Sequence, residues 1–63
     1  MGVTVTAAEA LITRAWDVAE AHRLTGSHAL VQAIWTLEYA LDHNTTDTGH
    51  AAARVETLIG ELP

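Results

Sequence analysis

Apolar residues recur along this chain at three- and four-residue intervals in three stretches, the spacing of amphipathic helices. In the first stretch, Leu11, Ala15, Val18 and His22 form one line at about 100° per residue. Ala8, Ile12, Trp16 and Ala19 widen that line to about half the circumference, with Glu9, Thr13, Asp17 and Glu20 opposite. In the second, Leu30, Ile34, Leu37 and Leu41 form the main line, flanked by Ala29, Ala33 and Ala40. A second apolar stripe, Val31, Trp35 and Tyr39, runs beside it with Glu38 and Asp42 interspersed. In the third, Ala51, Val55, Leu58 and Leu62 line up beside Ala52 and Ile59.

Boundary residues set the limits of these elements. Thr6-Ala7-Ala8-Glu9 has the capping-box spacing, in which hydroxyl and carboxylate satisfy free N–H groups at a helix start. Around Leu24-Thr25-Gly26-Ser27, Gly26 accepts positive φ and Ser27 can cap the following helix. Asn44 is a suitable left-handed terminator, and Asn44 to Thr48 are all turn or cap formers. Asp47 or Thr48 caps the third helix, with the Asp47 charge favourable at its N-terminus. Gly60 weakens the last turn, and Pro63 follows it. The spacing predicts helices over about 7–23, 28–43 and 48–61 behind an arm of residues 1–6. Val3 to Thr6 alternate like a strand, but four residues are too few to make one. With no room for a linker, the expected fold is all-α: one small domain over 1–63, a helical hairpin plus a third helix.

Ala10-Leu11-Ile12 with Trp16, Val18 and Ala21 recurs 19 residues later as Ala29-Leu30-Val31 with Trp35, Leu37 and Ala40. Two antiparallel helices related by a dyad perpendicular to their axes point equivalent flanks to the same side. Ile12 and Trp16 are therefore expected to join Val31 and Trp35 in one apolar surface. The third helix has a face suited to covering that surface, and Trp16 is expected beneath it.

Size bears on how the bundle is completed. A 63-residue chain buries only ~60% of its unfolded surface. Twelve of its apolar residues are alanines, and it has no cysteine for a disulfide or thiolate metal site. The second helix carries more apolar surface than one partner helix covers, with Tyr39 nearly opposite the main line. A second copy is the simplest cover, so a homodimer is expected, with Trp16, Val31, Trp35, Glu38, Tyr39 and Asp42 at the interface.

Charge excludes some partners. Eight acids face three arginines, Arg14, Arg23 and Arg54, with no lysine, for a net charge of −5. A phosphate backbone or an anionic membrane needs clustered cations, so neither nucleic acid nor membrane is an expected partner. A basic protein partner is compatible. No run of about 18 apolar residues exists to span a bilayer. No basic segment leads into an apolar run as in a secretory signal, which points to the cytoplasm. The absence of Lys and Phe, with abundant Ala and Thr, is the composition of a GC-rich genome, actinobacterial or of an actinobacterial phage.

Candidate chemistry is sparse. His22 and His28 flank the first turn, and His43 and His50 flank the second; neither pair has helical ligand spacing, so no metal or other cofactor is expected. Glu38 and Asp42 are i, i+4 carboxylates beside Trp35 without a nearby base or nucleophile, and read as a solvated rim around an apolar patch. Ser27 reads as a cap, and the four glycines form no phosphate loop. A helix-turn-helix reading of the last two helices is disfavoured by chemistry, since the third begins with one cation, Arg54, among alanines, and it stands as a second alternative. The expected function is therefore not enzymatic. It is a small acidic interaction module that self-associates and binds another protein as an accessory or regulatory factor. The alternatives are a structural subunit of a larger assembly and a small DNA-binding regulator.

Overall fold

In the computed structural model, residues 5–43 and 46–62 are described. They form three helices, α1 (Val5–Ala21), α2 (Ala29–Asp42) and α3 (Thr48–Glu61), with no strand among the described residues. The all-α class and three-helix architecture read from the periodicity are those of the structure. Residues 1–4 of the expected arm, the Asn44 terminator and Pro63 lie outside the described residues.

The helix ends differ from the sequence expectation in informative ways. α1 is already helical at Val5, which places Thr6 inside the first turn rather than at the cap. At the other end, Arg23 adopts the left-handed conformation, with φ 54°, and no described glycine has positive φ. Leu24 N–H donates to the Ala19 carbonyl at 2.9 Å and Arg23 N–H to Glu20 at 3.1 Å. These paired bonds are a Schellman closure, in which orphan carbonyls of the last turn are satisfied by the reversing chain. Leu24 then packs against the core. The reversal falls at Arg23 because the hydrogen bonds and the apolar contact fix the register there. Gly26 comes too late in the chain for the role expected of it.

His28, and not Ser27, caps α2. Its backbone is extended (φ −74°, ψ 141°), and its Nδ1 accepts the Leu30 N–H at 3.0 Å. Ser27 Oγ instead lies 2.9 Å from Thr25 Oγ1. An unprotonated imidazole nitrogen satisfies the orphan donor in the way an Asp or Ser oxygen does. Asp47 holds the N-cap position of α3, its carbonyl accepting from Ala51 N–H at 2.9 Å.

α2 is the centre of the bundle. Leu30, Ile34 and Leu37 are sealed from solvent, as is Val55 of α3. α1 contributes Leu11 and three buried alanines, Ala8, Ala15 and Ala19, while α3 adds Ala51 and Ala52. Small residues at these positions let helix backbones approach closely. Val18, Leu24, Leu58, Ile59 and Leu62 close the margins.

The side on which α3 packs follows from a surface ion pair. Arg14 Nη2 of α1 lies 3.8 Å from Glu56 Oε1 of α3. Trp16 is two residues from Arg14, hence about 200° away around α1. On α2, the buried Ala33 and Ala40 occupy the flank away from Trp35. α3 therefore packs on the alanine flank, and both tryptophans face the other side of the hairpin. The expectation that α3 covers Trp16 is corrected. Two indoles would hold a third helix away from the α1–α2 seam, whereas alanines admit it.

Candidate interaction surface

The repeat-equivalent tryptophans meet. Their ring centroids are 6.4 Å apart with planes inclined at 58°, within the range of favourable tilted aromatic pairs. Trp16 is half-buried, and its Nε1–H donates to Glu38 Oε2 at 3.4 Å. The pair thus ties α1 to α2 on the face away from α3.

Trp35 and Tyr39 extend this face outward and remain 49% and 61% exposed. The Tyr39 ring is stacked on His43, with centroids 3.8 Å apart and planes at 18°. His43 Nδ1 lies 3.0 Å from the Tyr39 carbonyl oxygen, which fixes the imidazole beside the phenol. The stacked pair therefore presents a flat aromatic edge one turn beyond Trp35.

Between α1 and α2 on this same side runs an open groove of about 690 Å³. It is lined by Val5, Glu9, Ile12, Thr13, Glu38, Leu41 and Asp42. Ile12 and Leu41 are half-buried, and Val5 is 61% exposed at one end. Among the described residues, three carboxylates and no cation line the groove.

Of the residues expected at an interface, Trp16, Trp35, Glu38, Tyr39 and Asp42 gather on this one face. Val31 does not join them: it is buried, at 4% exposure, within the core cluster. Its place on α2 is about 40° closer to the main apolar line than Trp35, far enough round to be covered. The repeat's geometric consequence thus holds for the tryptophans and fails for Val31. The groove residues Val5, Glu9, Thr13 and Leu41 are not among those expected at an interface. The signal for the first two was present, since Val5, Glu9, Ile12 and Trp16 follow helical spacing along the flank that carries Trp16.

The remaining candidates are dispersed. His28 is committed to its cap, His43 to Tyr39, and His22 and His50 are exposed. Among the described residues, no three His, Asp or Glu side chains come together as a metal-ligand set. At the start of α3, Ala51 and Ala52 turn into the core, which leaves His50, Ala53 and Arg54 as exposed groups. Among the described residues, no helix is long and apolar enough to cross a membrane. Compared with known proteins, the chain matches no family model, no curated protein and no solved structure.

Proposed function

We propose that this protein is a non-enzymatic interaction module that presents the α1–α2 face to another protein, as a cytoplasmic accessory or regulatory factor. One observation carries the reading: after three-helix packing, Trp35 and Tyr39 remain about half or more exposed, side by side, next to an open groove. Tryptophan and tyrosine are the residues most enriched at binding hot spots, because a large rigid surface is buried at small entropic cost. Among the described residues the groove's lining holds no histidine, lysine or cysteine, and its one hydroxyl, on Thr13, donates to the Glu9 carbonyl, which favours binding over catalysis. The acidic surface and the single arginine near the start of α3 disfavour a DNA-binding role.

A second reading is a self-associating structural subunit that buries the same aromatic patch between two copies. The core favours it, since among the described residues four large side chains are fully sealed, and a second copy adds buried area.

Two measurements on the wild type and a Trp35→Ser/Tyr39→Ser double variant separate these readings. Affinity capture from lysate of the source cells should retain a defined partner that the double variant loses, with helical circular dichroism unchanged. Sedimentation equilibrium should show whether mass depends on the same two residues. Capture unaffected by the double substitution, together with a mass that never exceeds 6.7 kDa, excludes both.

A further inference from the structure

Resting on the interaction reading above, we propose that the element docked by this face is a cationic amphipathic α-helix of a partner protein, seated in the α1–α2 groove. The shape is that of a helix-in-groove site, in which apolar anchors of the guest meet an apolar floor between two host helices. Val5 and Ile12 on α1 run antiparallel to Leu41 on α2, and the Trp16–Trp35 pair lies farther along the same two helices. From Val5 to Thr13 the groove wall extends about 12 Å, just over two helical turns. A guest helix of that length places apolar side chains at i, i+4 and i+7 over this floor.

The charge of the guest is set by the rim. Glu9 stands on the α1 wall, and Glu38 and Asp42 stand on the α2 wall. Glu38 is held in place by the Trp16 indole. Lysine or arginine flanking the apolar anchors meets these carboxylates on both sides. An acidic or neutral guest leaves them repelled or unpaired.

The same rim argues against a second copy as occupant. None of the three arginines lines the groove, and Arg14 is engaged by Glu56 on the far side of α1. Symmetric pairing of two grooves sets carboxylate against carboxylate. Offering an arginine from another face makes a head-to-tail contact, which closes only as a ring or grows without limit.

The test uses a displayed library of 14-residue amphipathic helices. Apolar sites are drawn from Leu, Ile, Met and Phe; flanking sites are drawn from Lys, Arg, Gln, Ser and Glu. Selection on the full chain should enrich Lys and Arg at the flanks. A selected peptide should perturb the NMR signals of Ile12, Leu41 and the Trp16 indole. Neutralising the rim by Glu9→Gln/Glu38→Gln/Asp42→Asn should weaken that peptide about tenfold at low salt, as three partly exposed ion pairs imply. The rim variant's circular dichroism should match the wild type. Enrichment of neutral or acidic flanks, shifts confined to other faces, or no enrichment overturns the proposal. Acidic or neutral peptides bound at the tryptophan face leave the interaction reading standing and remove only the cationic guest. A mass above 6.7 kDa that falls when the selected peptide is added makes a second copy the occupant and overturns the proposal.

Discussion

The indole of Trp35 lies against Gly26: a β-carbon at that glycine would stand 3.1 Å from Cη2 and 3.8 Å from Cζ3 of the ring. The glycine therefore serves a side chain nine residues on, not the local backbone reversal, which Arg23 makes three residues earlier with φ 54°. The first turn thereby positions a ring of the candidate surface as well as joining two helices.

A pair of substitutions separates these two roles. Arg23→Gly removes the steric cost of a left-handed non-glycine residue, about 1 kcal/mol, and should raise the melting temperature. Gly26→Ala should change stability little. The entropy removed from the unfolded chain, about 0.4–1 kcal/mol, offsets the few tenths of an ångström by which the half-exposed indole must move. Its signature should be a shifted Trp35 emission rather than a shifted midpoint. Thermal melts with fluorescence decide this. A loss above about 1.5 kcal/mol at Gly26, with none gained at Arg23, would return the reversal to the glycine.

The cap of α2 gives a second prediction. His28→Ala should cost about 1 kcal/mol, because the Leu30 N–H loses its acceptor at the helix start. Ser27→Ala should cost clearly less, since its hydroxyl meets only the exposed Thr25 hydroxyl. His28→Asp should restore most of the loss by supplying another acceptor beside the helix N-terminus. Urea midpoints of the three variants test the ordering. Equal effects at positions 27 and 28 would place the cap one residue earlier.

Much of the architecture was legible because helical periodicity is a property of the apolar residues alone. Leu30, Ile34, Leu37 and Val55 are sealed where their spacing put them. The tryptophan pair was legible too, from the repeat that relates Trp16 to Trp35. The caps were not. Gly26 and Ser27 have stronger preferences for their expected roles than Arg23 and His28 have for theirs. Tertiary packing chose the register, and capping energies of about 1 kcal/mol yield to it. The side taken by α3 was also hidden. Both flanks of α2 are apolar, and the choice turned on alanines at 33 and 40 permitting an approach that indoles prevent.

The last prediction separates what holds the fold from what the surface does. Trp16 is half-buried, packs against the core, touches Trp35 and donates to Glu38. Trp16→Ala should therefore cost about 2 kcal/mol, less than a fully buried tryptophan but more than an ordinary surface change. Trp35 is 49% exposed, and Trp35→Ala should cost less than about 1 kcal/mol in the isolated chain. Its effect should fall on association. The affinity for a docked cationic helix should drop at least as far as for the rim-neutralised variant, because an aromatic anchor outweighs an exposed ion pair. Denaturation at two protein concentrations a hundredfold apart distinguishes the routes. If midpoints of the wild type rise with concentration and those of Trp35→Ala do not, the ring is buried between copies, since association stabilises by mass action. If neither moves and only peptide binding weakens, the ring belongs to a site for a different protein. A loss at Trp35 as large as that at Trp16, without any change in binding, would make both rings parts of the core and leave the α1–α2 face without a role in recognition.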